Sequence, residues 1–304
     1  MSILLDQHNR VLVQGITGQM GQFFVGDAGR YGTRIVAGVS PGRGGTDVAG
    51  VPVFDAVAAA RDATGADTAM IFVPPSSVRG AAIEAIEGGC KLVVATADEL
   101  PVRDAIAIRA VALARGAAFI GPNTPGLISP GKAKMGFMPS FCYLPGRVGV
   151  ISRSGSLSYE ACQRLTLAGI GQSTVVGIGG DPVKGTTAAE ALALFHADPD
   201  TDAVLYLGEI GGTEEVSVAE YAARRDAKPV AALIVGSTAP PGKKMGHAAA
   251  LIGSKAEGYA AKIDMLRAAG VHVAEGVGAV VAAVEAALRA AAAPDAGSAH
   301  RRIA

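Results

Sequence analysis

The 304-residue sequence has no tryptophan, 5% aromatic residues and three cysteines. Cys90, Cys142 and Cys162 lack Cys-x-x-Cys spacing, which excludes a zinc knuckle and gives no sign of a disulfide framework. They read as inert thiols of a reducing compartment, so a cytoplasmic location is expected. Charge of either sign is not in excess: 27 Lys and Arg face 27 Asp and Glu. Nucleic-acid binding rests on a basic surplus that releases counterions, so no nucleic-acid partner is expected. No apolar run approaches the roughly 18 residues of a membrane span, and Met1–Asp6 is too short for a signal core. No membrane partner is expected either. The five histidines, at 8, 196, 247, 272 and 300, make no pair at helical spacing, and no metal site is expected.

What the chain has instead is aliphatic residues in a regular rhythm. Half of it is hydrophobic, which suits α/β architecture with aliphatic strands and Ala-rich helices. Short apolar runs at 10–14, 34–39, 68–73, 91–95 and 117–120 read as buried strands. Between them, 78–87 and 102–114 show helical spacing. Strict alternation implies βαβ units and a parallel sheet. Prolines and glycines then crowd residues 121–146, which cannot continue a helix or a central strand. A second alternating series follows, with strands at 148–152, 172–178, 203–207, 230–235 and 271–274, and a last helix over 277–291. The expected organisation is a Rossmann-like domain over 1–125, a linker over 126–146, a flavodoxin-like doubly wound domain over 147–291 and a disordered tail over 292–304.

Four segments carry chemistry. Gly15-Ile16-Thr17-Gly18-Gln19-Met20-Gly21 follows a strand and opens a helix, where backbone N–H groups approach phosphates. A dinucleotide site would add an acid after the second strand to hold a ribose hydroxyl. Here Arg43 stands there among glycines, which favours another phosphate and turns the reading from NAD towards coenzyme A. Ser152-Arg153-Ser154-Gly155-Ser156 lies at a second strand-to-helix turn; its hydroxyls and free N–H groups suit an anion, or simply cap the helix. Gly208-Glu209-Ile210-Gly211-Gly212 puts a carboxylate at a strand tip, the end of an α/β sheet where ligands bind. The loop 236–250 holds Lys243, Lys244 and then His247. A neutral imidazole is a good nucleophile towards phosphorus, and a carboxylate on its other nitrogen would fix the tautomer. Glu209 and the Ser154–Ser156 turn lie at strand ends of one expected sheet, so all three are placed to meet.

These segments, with Gly121-Pro122-Asn123 and Gly177-Ile178-Gly179-Gly180-Asp181-Pro182, resemble the α subunits of succinyl-CoA synthetases in order and spacing from about residue 2 to about residue 290. The resemblance implies a nucleotide-dependent carboxylate–CoA ligase that works with an ATP-grasp β subunit. That partner would bind ATP or GTP with Mg²⁺, in a heterodimer or heterotetramer. It also implies His247 as the phosphorylated residue, Glu209 as its orienting carboxylate, and Ser154, Gly155 and Ser156 as phosphate-holding residues. Thr17, Gly18, Gln19, Met20, Arg43, Pro74, Thr96, Ala97 and Asp98 would line the coenzyme A site. Tyr159, Asn123, Thr124 and Pro125 would lie near a dicarboxylate substrate. Four residues depart from the family pattern: Thr124 for cysteine, Arg43 for lysine, Lys184 for a neutral residue and Ala249 for glycine. The first and third point to malate or another small acid as an alternative to succinate. A coenzyme A-binding module without catalysis, and a nicotinamide oxidoreductase, are the competing readings.

Overall fold

The structure is a computed structural model that describes residues 2–240 and 242–293. Most of the tail expected over 292–304 lies outside them. The first sheet has seven strands: β1 (Val11–Gln14), β2 (Ile35–Val39), β3 (Asp47–Val48), β4 (Val51–Phe54), β5 (Thr68–Ile71), β6 (Leu92–Ala95) and β7 (Ala118–Ile120). Their order is β3-β4-β2-β1-β5-β6-β7. All pairings are parallel except that of β3 with β4. Without the antiparallel edge strand β3, this is the dinucleotide-fold order, and it reverses between β1 and β5. β1, β5 and β6 are buried along their whole length, as strands covered by helices on both faces must be. The covering helices are α1 (Gln19–Tyr31), α2 (Val57–Thr64), α3 (Pro75–Glu87) and α4 (Val102–Arg115).

The second sheet also has seven strands: β8 (Gly126–Ser129), β9 (Ala133–Gly136), β10 (Pro145–Ser152), β11 (Gln172–Gly177), β12 (Ala203–Glu209), β13 (Val230–Val235) and β14 (His272–Ala274). They run in the order β14-β13-β12-β10-β11-β8-β9. β10 to β14 form the parallel flavodoxin-like arrangement, with its switch point between β10 and β12. Around them lie α5 (Gly155–Leu167), α6 (Ala188–Ala197), α7 (Glu214–Ala222), α8 (Tyr259–Ala268) and α9 (Val280–Ala292). The chain is thus α/β throughout, a Rossmann-like sheet followed by a flavodoxin-like one.

The stretch 126–146 does more than connect. β8 and β9 form a hairpin that adds to the second sheet through antiparallel pairing of β8 with β11. Its other side grips the first domain. Lys134 on β9 is ion-paired with Asp27 of α1, Thr33 Oγ1 donates to the Lys134 carbonyl at 2.8 Å, and Ser129 Oγ donates to the Leu5 carbonyl at 2.6 Å. One core cluster contains side chains of both sheets, among them Val13, Met70, Met135 and Val176. Arg109 of α4 and Glu190 of α6 add an ion pair at 3.0 Å across the same boundary. Among the described residues no helix is long and apolar enough to cross a membrane.

Candidate functional site

The carboxyl ends of β10, β11 and β12 lie side by side, because the register pairs Ser152 with both Gly177 and Leu207. Each end carries a segment singled out in the sequence. β12 ends on Glu209, which is 6% exposed and so has little solvent to stabilise its charge. β13 leads into the loop that bears His247. The loop returns over the sheet, with its Ala249 N–H donating to the Gly180 carbonyl at 3.3 Å. His247 Nδ1 then meets Glu209 Oε2 at 2.8 Å. That hydrogen bond, opposed by burial and aided by the charge of Glu209, raises the imidazole's proton affinity above its ordinary value. With the carboxylate accepting from Nδ1–H, the neutral ring carries its lone pair on Nε2.

Gly180 explains how the ring fits. A Cβ there would sit 2.5 Å from His247 Cγ, so only glycine admits the imidazole. Gly211, at φ +79°, is just as constrained: its Cβ would lie 2.1 Å from the Ala249 carbonyl. Two strand-end glycines therefore shape the seat of the histidine loop.

Asn123 and Asp181 face the site from the domain boundary. Asn123 Nδ2 donates to Asp181 Oδ1 at 2.9 Å, and the Asn123 N–H donates to the Ala97 carbonyl at 2.8 Å. They line a cleft of about 280 Å³ together with Asp98, Lys244 and Gly246, which joins the end of β6 to the histidine loop. Thr124 is buried; its hydroxyl donates to the Gly177 carbonyl and accepts from the Gly126 N–H. Pro125 packs over Gly177, where a Cβ would come within 2.6 Å of the proline ring. Tyr159 Oη donates to the Phe137 carbonyl at 2.9 Å. Lys184 is buried too, bonded to the Asp181 carbonyl at 2.8 Å and 4.0 Å from Glu214; loss of solvent lowers its proton affinity. Ser154 is the N-cap of α5 and accepts from the Leu157 N–H, though at a long 3.5 Å. Gly155 is the first residue of that helix, and Ser156 is exposed. The helix start is open to an anion as well as capped.

The other residues singled out in the sequence lie at the carboxyl ends of the first sheet's strands, most of them around its switch point. Gly15 has φ +79°, and a Cβ there would strike the Phe72 carbonyl at 2.8 Å; a Cβ on Gly21 would strike the Gly15 carbonyl at 2.5 Å. The turn is thus built for close backbone approach, with exposed Gly18, Gln19 and Met20 at the opening of α1. Thr17 Oγ1 lies 3.0 Å from Ser40 Oγ, tying this turn to the end of β2. Arg43 is exposed on the loop that follows, and Pro74 is the N-cap of α3. Gly15, Ser40, Pro41, Val73, Pro74 and Ser77 enclose a cavity of about 290 Å³ at the crevice between β1 and β5. Thr96, Ala97 and Asp98 continue β6 towards the cleft beside His247. Glycine N–H groups and a helix start make a cradle that suits phosphates of coenzyme A.

Three residues under Glu209 had no assigned role in the sequence reading. Arg153 NH2 lies 3.1 Å from Glu209 Oε1, while Lys262 and Arg153 both reach Glu215. A signal for two of them existed. Glu215 shares a stripe with Val218 and Ala219 on α7, and Lys262 one with Ile263 and Leu266 on α8. A charge on an apolar stripe marks a buried ion that needs a partner.

Comparison with known proteins agrees with this architecture. Residues 6–98 match the family model of the CoA binding domain, and residues 151–272 match that of CoA-ligase. The α subunit of ADP-forming succinate–CoA ligase from Aquifex aeolicus is 47% identical over 277 residues, covering 90% of this chain and 91% of that protein. The α subunit of malate–CoA ligase from Methylorubrum extorquens is 45% identical over 278 residues, 90% of this chain and 94% of that one. Among solved structures, ATP citrate lyase from Methanosaeta concilii superposes with TM-score 0.85 at 24% identity, over 96% of this chain and 52% of the lyase. That likeness is one of fold, and the chain spans about half the lyase's length. With close to half of its residues shared with such α subunits along nine-tenths of its length, the chain belongs to the succinate–CoA ligase α-subunit family.

Proposed function

We propose that this chain is the coenzyme A-binding, phosphoryl-carrying subunit of a ligase that joins a small dicarboxylate to coenzyme A at the expense of a nucleoside triphosphate, with His247 as the carrier. The observation that supports it most is the 2.8 Å contact of Nδ1 with Glu209, which leaves Nε2 as the free nucleophile. In the direction of thioester synthesis, the Nε2 lone pair forms a bond to the terminal phosphorus as the P–O bond to the nucleoside diphosphate breaks. Glu209 retains the Nδ1 proton and stabilises the positive charge that develops on the ring. A substrate carboxylate oxygen then takes the phosphoryl group from Nε2, and the ring returns to its neutral form. Thiol attack on the acyl carbonyl expels phosphate and completes the thioester.

The α5 start at Ser154–Ser156 offers N–H donors to the phosphoryl oxygens. Thr17 to Met20, Arg43, Pro74 and Thr96 to Asp98 are the residues we assign to coenzyme A. Its thiol is the acceptor that the chemistry requires. The cleft bounded by Asp98, Asn123 and Gly246 is the route by which the thiol would reach the acyl group. The nucleotide and Mg²⁺ are assigned to a β subunit with an ATP-grasp domain, and Asn123, Thr124, Pro125 and Tyr159 to the surroundings of the acid.

Succinate is the acid in the name of the Aquifex aeolicus relative and is the acid we assign; malate, in the name of the Methylorubrum extorquens relative, is the alternative. The buried positions of Thr124 and Lys184 bear on that choice. Thr124 spends its one hydroxyl proton on the Gly177 carbonyl, and Lys184 is held by the Asp181 carbonyl with Glu214 nearby, which leaves Thr124 no donor for a malate hydroxyl. A thioester-formation screen of the reconstituted pair against succinate, malate and citrate decides the acid. Labelled nucleotide with the β subunit should give an acid-labile, base-stable phosphoprotein, and a His247→Asn chain that still takes the label would overturn the assignment.

A further inference from the structure

Beneath Glu209 lies a buried group of charges that this chemistry has not used. Arg153 from the end of β10, Lys262 from α8 and Glu215 from α7 have side chains no more than 1% exposed. Arg153 NH1 donates to the carbonyls of Glu209 and Gly211 at 3.2 and 2.9 Å. Lys262 Nζ donates to the same two carbonyls at 2.9 and 2.8 Å. Two cations on one pair of carbonyls fix the turn that follows β12. Glu215 balances both cations and accepts from Tyr206 Oη at 2.9 Å.

The other terminal guanidinium nitrogen, Arg153 NH2, lies 3.1 Å from Glu209 Oε1, the oxygen turned away from His247. The approach is too oblique for a hydrogen bond, and Arg153 NH2, Arg153 Nε and Glu209 Oε1 are all buried without one. The contact is therefore one of charge against charge in a region of low dielectric, where such a contact is felt strongly.

We propose that Arg153 is a positioning residue: it holds Glu209 with one oxygen aimed at His247 Nδ1 and restrains the carboxylate from keeping the ring protonated. The proposal rests on the reading of His247 as phosphoryl carrier. A buried carboxylate alone would favour imidazolium, which cannot attack phosphorus; a fixed cation behind that carboxylate opposes a second positive charge on the ring. The charged groups that act on His247 are Glu209 from β12, Arg153 behind it and Asp181 from the turn after β11; Lys243 and Lys244 lie on its own loop. Around Glu209 stand Lys262, Glu215 and Lys184. Arg153 opposes protonation of the ring, whereas Glu209 and Asp181 favour it.

The test compares the full chain with Arg153→Met and Arg153→Lys by NMR titration of His247, by phosphorylation with the β subunit and labelled ATP, and by coenzyme A affinity as a control for folding. In Arg153→Met the His247 midpoint should move to higher pH, and phosphorylation should fall about tenfold more at pH 6.5 than at pH 8.5. Arg153→Lys should keep the midpoint but lose part of the rate at every pH, because the point charge remains and the planar fork does not. An unchanged midpoint in folded Arg153→Met overturns the proposal. Should that variant not fold, an Arg153→Lys chain with wild-type rate and tautomer overturns it instead. The two readings fail separately. A midpoint that moves in a chain that takes no label would refute the carrier and keep the positioning role; a labelled chain with a fixed midpoint would do the reverse.

Discussion

The two strand-to-helix turns, Gly15–Gly21 in the first domain and Ser152–Ser156 in the second, occupy equivalent places at the switch points of their sheets but are built from opposite materials. The first is almost bare backbone. Its glycines allow close approach, and the nearby cation, Arg43, stands in solvent. The second rests on buried charges: Arg153 inside the turn, Glu209 beside it, and Glu215 and Lys262 below. On the function proposed above, the difference follows from what each would do. Holding preformed phosphates needs accessible N–H groups and costs little in folding, because the ligand brings its charge with it. Keeping an imidazole in one tautomer and one charge state needs fixed charges where water cannot rearrange around them.

The sharpest way to break this contrast is to remove the acid that the second domain's buried cations share. Glu215→Ala strips the counter-charge from both Arg153 and Lys262, and should cost about 3–5 kcal/mol in a urea-melt comparison, since one partner of a buried pair cannot be removed cheaply. Next in size, Glu209→Gln should slow His247 phosphorylation about 100-fold while coenzyme A affinity, measured calorimetrically, stays put. Gly15→Ala probes the other turn: a Cβ at φ +79° against the Phe72 carbonyl should destabilise the chain by about 1–3 kcal/mol and weaken coenzyme A binding, with the labelling rate at saturating coenzyme A unaffected.

A pH series separates the two turns without mutation. Because the folded chain holds the His247 proton more tightly than the unfolded chain does, protonation contributes stability that is complete below the ordinary imidazole value of about 6.5. That contribution disappears as pH rises through the higher folded value. Phosphorylation should follow the opposite course, rising over the same interval, whereas coenzyme A binding should stay level. Smallest of all, Arg43→Ala should weaken coenzyme A binding about threefold, and added salt should erase the difference, because an exposed charge is screened and worth about 0.3–1 kcal/mol.

Much of the fold was legible because parallel strands buried on both faces must be aliphatic runs. β1, β5, β6, β12 and β13 announced themselves in that way. The edge elements were not. β3 spans two residues, β4 contains Pro52, and the β8–β9 hairpin pairs glycine with glycine at Gly126 and Gly136. Such strands are too short, or too rich in glycine and proline, for a pattern to be read; Pro52 interrupts β4 although that strand lies between β2 and the two-residue β3. The hairpin illustrates the loss most clearly: Pro- and Gly-rich composition resembles a connector, yet Lys134 and Ser129 fasten the two domains through it.

The chemistry divides along the same line. By itself the sequence determined the glycine turn, the Ser-Gly-Ser helix start, the acid at a strand tip and a histidine in a loop, since each is a local pattern tied to a strand end. Only the tertiary structure decided that Glu209 reaches the Nδ1 side of His247, that Gly180 makes room for the ring, and that Arg153, Lys262 and Glu215 form one buried group beneath them. Those residues come from separate elements, most of them tens of positions apart. Their interactions depend on distance and on exclusion of water, and neither exists until the sheets have packed.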